Sequence, residues 1–424
     1  MHLLKVLYVA AHGGFAGQSV PLGGGAAIFN LLTEEWSRAR PFDLELVTPA
    51  ILGSSAPSGR QLVSFSESQY AAFCNAFREA ATSEALRHDP ASTAILVNDI
   101  AEGPDFERLA RAGFRIVTVY HVDVVAYIAS IYLRGWIRPE FLAHLWERLR
   151  SGPVRTLAPS IVRLIFEQQH ASLRWSARVV VPSADMRSIL LRCYPSTPPE
   201  LVEVLPWGCP SVPPFSADSD RELEELRAGY GIEPDARILL CLSRISPEKA
   251  QDFLLEALLE WERSSTFPRQ PVWLFICGEA AFMHGRRYEH KIKELAARLR
   301  RVRVIFPGYV TGARKRAFFR LAHVYLFPSH HESYGLTLVE ALGAGLPAIC
   351  RDHAGAHQIL RPEFGVRVTG SGRPARAAFS DALHTLLENE HSRTAMAAAA
   401  REWARQRPFA ASAATLAVCL SDVG

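Results

Sequence analysis

The chain has 424 residues, 49% of them hydrophobic and 21% charged, with 47 basic against 43 acidic side chains and a net charge of +4. That length exceeds one ordinary core and predicts about two globular domains. The charge balance is too even for a nucleic-acid binder, and it leaves small polyanions or an anionic membrane surface as compatible partners. Seven scattered cysteines without CxxC or zinc spacing fit a reducing, cytoplasmic setting.

The chain opens on Leu3–Ala10, an apolar run that reads as a buried first strand rather than a leader. Gly23-Gly24-Gly25 follows and opens a helical pattern. A flexible backbone at a helix start can approach a phosphate or sugar closely, and a plain connecting loop fits the run equally well. The GxGxxG spacing of a nicotinamide site is absent. Further short apolar runs, at Leu44–Thr48, Ala94–Asn98, Arg115–His121, Arg178–Pro182 and Val202–Pro206, alternate with helical stretches. Near-continuous apolar strands between helices predict a parallel sheet covered on both faces. His121 and Asp123 close the fourth run. A strand-end histidine can bind a sugar hydroxyl or move a proton, though a lone histidine is more often structural. The Arg- and Trp-rich region from Tyr132 to Arg178 includes Arg134, Trp136, Trp146 and Arg148. It reads as an amphipathic membrane-facing surface or as an ordinary helical layer with both tryptophans in the core. Glu140, Glu147 and Glu167 interrupt the positive field and favour the ordinary layer.

The Pro/Ser-rich stretch 206–220 is the best domain boundary. Asp218-Ser-Asp220 has the DxD pattern of a metal site, but its place in this linker argues for a loop. A second series of strands follows: Arg237–Ser243, Val272–Cys277, Val302–Phe306, Val324–Phe327, Pro347–Cys350 and Val366–Val368. After the first of them comes Ser243-Arg244-Ile-Ser-Pro-Glu248-Lys249, with Pro247 in the first turn of a helix and Ser246 as its cap. Arg244 and Lys249 can neutralise a diphosphate without a metal, and a solvated surface pair is an equal alternative from the residues alone. The most informative stretch is Pro328-Ser-His-His-Glu332-Ser-Tyr-Gly335-Leu-Thr-Leu-Val-Glu340. It is a strand, a polar loop and a helix start bracketed by two carboxylates. Free amides there suit a phosphate, and carboxylates suit vicinal diols. His330-His331-Glu332 is not HExxH, and His353 with His357 lacks a third ligand, so no metal is expected. The Ala-rich tail from about Asp381 is helical and broken at Pro408.

Glu332-x7-Glu340 with Gly335, Ser243-Arg244…Glu248-Lys249, Gly23–Gly25, His121, Val204-Leu-Pro-Trp-Gly208, Phe275-Ile-Cys-Gly278 and Phe306-Pro-Gly-Tyr309-Val310 together resemble glycosyltransferase family 4 over nearly the whole chain. The resemblance implies an α/β GT-B fold, with two doubly wound Rossmann-like domains facing a cleft. Residues 1–210 would form the acceptor-side domain, 211–400 the nucleotide-sugar domain, and 401–424 a helix crossing back to the first. It implies a retaining, metal-independent hexosyltransferase using a nucleotide-diphosphate sugar, a UDP-sugar ahead of others, with no further cofactor. Arg244 and Lys249 would hold the diphosphate. Backbone at Tyr334, Gly335, Leu336 and Thr337 would hold phosphate and sugar. Glu332 would act at the reacting face with His121 near the transferred sugar, and Glu340 would bind the ribose. Gly24 and Gly25 would line the donor, with Gly278, Tyr309 and Val310 near the base. The acceptor is left open among carbohydrate, lipid and small molecule, with peripheral membrane contact allowed. Gly355-Ala-His357-Gln358 departs from the family's usual Gly-x-x-Glu. A silent sugar-nucleotide binder and a GT-B epimerase are the competing readings.

Overall fold

The computed structural model describes residues 4–15, 20, 22–129, 136–150, 152, 158–211, 217–281 and 285–422, with backbone alone for 217–219. The chain divides into two compact units, Met1–Trp207 with Ala410–Gly424, and Gly208–Phe409.

The first unit is built on β1 (Lys5–Val9), β2 (Asp43–Val47), β3 (Thr93–Val97), β4 (Arg115–Val119), β5 (Arg178–Val181) and β6 (Val202–Val204). All are parallel, in the order β2-β1-β3-β4-β5-β6, with Leu7 opposite Ile95 in the β1–β3 register. Every residue of β3 is buried. Consecutive side chains of a strand point to opposite faces, so both faces of the sheet are covered. This is the physical content of the alternating strand and helix pattern. Helix Phe409–Asp422 belongs to this unit from Ala410 onward, where Ser412 Oγ donates to Pro206 O at 2.9 Å and Ala413 O accepts from Trp36 Nε1 at 3.1 Å.

The second unit repeats the plan with β7 (Arg237–Leu242), β8 (Val272–Cys277), β9 (Val302–Gly308), β10 (Val324–Phe327), β11 (Ala348–Arg351) and β12 (Gly365–Val368), parallel in the order β12-β11-β10-β7-β8-β9. Its core packs Leu239, Leu254, Leu258, Trp261, Leu274, Leu326 and Phe379. In each sheet the first strand is internal, and the chain builds outward from one side before returning to the other. The reversal falls between β1 and β3 in one unit and between β7 and β10 in the other. Loops leaving the carboxyl ends of strands on either side of such a reversal diverge and leave a natural binding crevice.

Two expectations change. The stretch 206–220 is not all linker. A helix, Ala217–Tyr230, begins inside it, so Asp218 and Asp220 lie on a helix and Asp220 pairs with Arg320 at 2.6 Å. Trp136 is 89% exposed while Trp146 is buried against Phe166, so only one of the two tryptophans is in the core. Arg134 lies outside the described residues. No helix among the described residues is long and apolar enough to cross a membrane.

The end of β8 fixes the backbone beside β7. Gly278 has φ +154°, and a Cβ there would sit 1.9 Å from Ser243 O. The clash is with backbone, so neither side can yield cheaply. Gly278→Ala is expected to destabilise the second unit by at least about 2 kcal/mol, read as a lower urea midpoint followed by tryptophan fluorescence.

Candidate functional site

In the second unit the reversal point carries the residues singled out from sequence. β7 ends at Leu242, and Ser243 and Arg244 follow. The expected helix at Pro247 is a single tight turn, Pro247–Lys249, and the helix proper runs Gln251–Trp261 after Ala250 at φ +50°. Ser246 does not cap it, because its hydroxyl donates to Glu248 Oε1 at 2.6 Å. Glu248 is 4% exposed and faces Arg244 at 3.5 Å. Burial pushes its carboxyl up, but Arg244, Lys249 and Ser246 outweigh that and hold it below the usual range.

The turn presents Lys249 to Glu332 from the neighbouring strand-end loop. Lys249 Nζ lies 2.5 Å from Glu332 Oε1, with the two side chains only 14% and 12% exposed. Burial raises the Glu332 pKa. Lys249, His353 and the Ser329 hydroxyl overcome it, and the net shift is downward, so Glu332 is ionised at neutral pH. Two backbone bonds hold the loop: His330 N donates to Glu248 O at 3.1 Å, and Gly355 N to Glu332 O at 3.1 Å. Gly335, at φ +112°, turns the chain into helix Leu336–Gly343, a conformation that strongly favours glycine. Thr337 Oγ1 accepts from Tyr325 Oη at 2.8 Å, which ties the first turn of that helix to β10. Tyr334 is buried.

One step along the helix, Glu340 is paired with Lys315 at 2.7 Å, a partner the sequence did not suggest. Tyr309 N donates to Glu279 Oε1 at 3.4 Å. Burial, Glu340 and Glu279 together raise the Tyr309 phenol pKa, so both carboxylates act on that ring. Val310 beside it is buried. Tyr309 and Glu340 therefore act on one another, Lys249 and Glu332 are in contact, and Gly278 packs on the Ser243–Arg244 backbone. His353 and His357 do not form a metal-ligand pair. His353 Nδ1 accepts from Ala356 N at 3.0 Å as the cap of helix Ala354–Ile359, and His357 meets Asp352 at 2.8 Å.

The first unit has its own cluster at the β1–β3 reversal. Gly24 begins helix Gly24–Ala39. Gly25 O accepts from Asn98 Nδ2 at 3.2 Å, and Asn98 Oδ1 meets Tyr8 Oη at 2.7 Å and His121 Nε2 at 3.0 Å. Because that amide oxygen can only accept, His121 carries its proton on Nε2. Burial lowers its pKa to about 4, so the ring is neutral at pH 7. Next to it Asp99 contacts His12 at 3.2 Å, His12 reaches Tyr70 Oη at 3.0 Å, and Tyr70 bonds Glu102. Burial works against the charge on Asp99, but His12 and His121 hold its pKa below the usual value. Sequence reasoning missed His12, Asn98 and Asp99. All three follow apolar strands, a signal that becomes useful only when the strand order is known.

Residues 222–403 match the family described as Glycosyl transferases group 1. Among curated relatives, the D-inositol 3-phosphate glycosyltransferase of Frankia alni is 28% identical over 68% of this chain and 69% of that protein. The protein of the same name from Kineococcus radiotolerans is 30% identical over 60% of this chain and 59% of its own. That of Corynebacterium glutamicum is 29% identical over 55% and 54%. The chain thus spans between half and about two thirds of these relatives. Among solved structures, HepE of Anabaena in complex with UDP and glucose superposes with TM-score 0.65 at 16% identity, covering 99% of this chain and 100% of that one. WaaG, a glycosyltransferase involved in lipopolysaccharide biosynthesis, gives TM-score 0.65 at 18% identity over 98% and 99%. Twin parallel six-stranded sheets and these likenesses define the class, an α/β protein of the GT-B glycosyltransferase fold. The likeness to the group 1 glycosyl transferases is carried by residues 222–403, in keeping with the resemblance to family 4 read from the sequence.

Four histidines, the buried His353 and the half-buried His121, His323 and His331, have pKa values lowered to about 4, with desolvation the leading cause of each. A group whose folded pKa is depressed contributes stability that is complete above its unfolded value, near 6.5, and is lost as pH falls toward the folded value. Stability is expected to decline between about pH 6.5 and pH 4 by up to about 1.4 kcal/mol per pH unit for each such histidine. Urea midpoints across that range check this, and a flat profile would contradict it.

Proposed function

We propose that the protein transfers a hexose-type sugar from a nucleotide-diphosphate sugar to a hydroxyl acceptor with retention of configuration and without a metal. A single observation carries this reading. Arg244 faces Glu248 and Lys249 contacts Glu332 at a sheet reversal, on the loops that lead to the start of helix Leu336–Gly343. Breaking a sugar–diphosphate bond develops negative charge on the leaving group and positive character on the sugar. Arg244, Lys249 and the amides at Tyr334, Gly335, Leu336 and Thr337 stabilise the first, since fixed charges and a helix start need no reorganisation during reaction. Glu332, ionised and buried, holds hydroxyls of the sugar at the reacting face. Glu340, oriented by Lys315, takes the ribose, with the base near Gly278, Tyr309 and Val310. Gly24, Gly25 and neutral His121 contact the transferred sugar or acceptor. Support comes from the group 1 match and from HepE, whose structure holds UDP and glucose. That HepE complex favours a UDP-sugar, and the relatives' names make a polyol or sugar acceptor the first to try.

Arg244→Ala and Lys249→Ala are expected to cut kcat by about 100-fold or more, the scale of losing a charged contact made in the transition state. Wild-type turnover in both variants would sink the assignment. Wild-type transfer is expected to persist in EDTA; loss restored by magnesium would refute metal independence. A thermal-shift screen of UDP, GDP and ADP with their sugar conjugates names the donor.

Peripheral membrane contact is part of the proposal. It is supported by Trp136, Phe141 and Leu145, exposed at 89%, 59% and 41% near the exposed Arg138 and Arg148. Apolar rings flanked by arginines suit an anionic lipid surface, with the protein otherwise cytoplasmic. Phe141→Asp with Trp136→Ala is expected to lower pelleting with anionic vesicles several-fold. Equal pelleting of the double variant would remove the membrane role.

A further inference from the structure

His353 is used by none of the roles above, yet its environment is unusual. Its ring is 94% buried against the edge of Phe327, at a centroid distance of 5.2 Å. Nδ1 is committed to accepting the Ala356 N–H at 3.0 Å. A neutral imidazole that accepts at Nδ1 must carry its proton on Nε2. That Nε2–H is buried and has no acceptor among the described residues. An unsatisfied buried donor costs about 1–3 kcal/mol, so its persistence calls for a reason. The groups that act electrically on the ring are Glu332, Lys249, His331 and His357, and Glu332 comes first among these charges.

In this structure the Lys249 ammonium is held by Glu332 at 2.5 Å. If the ammonium instead contacts a donor diphosphate, Glu332 loses the cation that keeps it ionised in a buried place. An ionised carboxylate left alone in the interior is strongly unfavourable and takes up a proton. The Ser329 hydroxyl already serves this carboxylate, and the segment that carries His353 is bonded to the same residue, Gly355 N donating to Glu332 O at 3.1 Å, which leaves the unpartnered Nε2–H as a further neutral donor close by.

We infer that His353 is a positioning residue that takes over the Glu332 carboxylate through its Nε2–H when Lys249 turns from Glu332 to the donor diphosphate. The inference rests on the functional reading above. The helix cap serves this role as well as the fold. By occupying Nδ1 it prevents the other tautomer, which would present a lone pair to a carboxylate. The handover needs no covalent step, only exchange of one hydrogen-bond partner at Glu332 while the ammonium moves to phosphate. It leaves Glu332 negative at neutral pH, which is the state that orients sugar hydroxyls.

His353→Asn separates capping from donation. Asparagine is a good helix cap and keeps the bond to Ala356 N, but it cannot also place a donor where Nε2 lies. His353→Ala removes both. Calorimetric titration with UDP, and with GDP and ADP in parallel, is run in two buffers of different ionisation enthalpy at pH 7. Wild-type protein is expected to bind one of these diphosphates without proton uptake. His353→Asn is expected to keep its thermal midpoint within a few degrees, to bind the same diphosphate about tenfold more weakly, and to take up close to one proton on binding. The groups that face Glu332 are Lys249, His353, His331, Cys350 and Ser329. A second variant, His353→Asn with Glu332→Gln, is therefore included, and it is expected to bind with no proton uptake. Unchanged affinity and no proton uptake in a well-folded His353→Asn would overturn the inference while leaving the functional reading intact. Uptake that persists in the double variant would also overturn it, since the proton would then belong to another group. If wild-type protein binds none of the three diphosphates, the functional reading fails and the handover falls with it.

Discussion

The site depends on one largely buried ion pair, Lys249 with Glu332. Charges this far withdrawn from water are poorly tolerated alone, and removing one partner leaves the other without its counter-charge. The pair therefore constrains two loops at once, the turn Pro247–Lys249 after β7 and the segment 328–335 after β10. Supporting contacts repeat the constraint in neutral form. Glu248 O accepts from His330 N, Glu332 O accepts from Gly355 N, and Tyr325 Oη links Leu242 O to Thr337. Strand ends, loops and the start of helix Leu336–Gly343 are thereby fixed relative to one another before any ligand arrives.

This arrangement concentrates opposite charges at the reversal of the sheet. Arg244 with Glu248, Lys249 with Glu332 and Lys315 with Glu340 form three cation–carboxylate pairs in a small region. Three such pairs balance one another and are easily repolarised, because under the proposed function a diphosphate would compete for the cations and a diol for the carboxylates. The first unit solves a similar problem differently. Asn98 joins Tyr8, His121 and Gly25 through one amide, and Asp99 is buried beside two imidazoles. The groups around Asn98 are neutral, which suits hydroxyl groups more than phosphate, and the carboxylate of Asp99 beside them adds a negative charge that disfavours phosphate further.

The strand pattern was legible along the chain because parallel strands buried on both faces must be apolar throughout. Val324–Phe327 and Val272–Cys277 were read to the residue, and the other ten strands to within a few residues. What misled was local. Ser246 looked like a helix cap but is spent on Glu248, and a Pro/Ser-rich stretch hides the start of helix Ala217–Tyr230. Trp136 was set in the core by its side chain's ordinary preference, whereas its position before helix Pro139–Leu149 leaves it exposed.

The sequence by itself determined the parallel α/β class, the family resemblance and the residue types at the site. Those depend on periodicity, glycine placement and the chemistry of neighbouring residues, all of which are local. Tertiary structure alone decided the partners. Lys249 meets Glu332 across 83 positions, Lys315 meets Glu340, and His12 meets Asp99, because the order of strands in each sheet brings those ends together. It also decided that His353 is a buried donor rather than a metal ligand. That outcome follows from which nitrogen the helix start occupies and from the ring's burial beside Glu332, and neither is encoded in spacing along the chain.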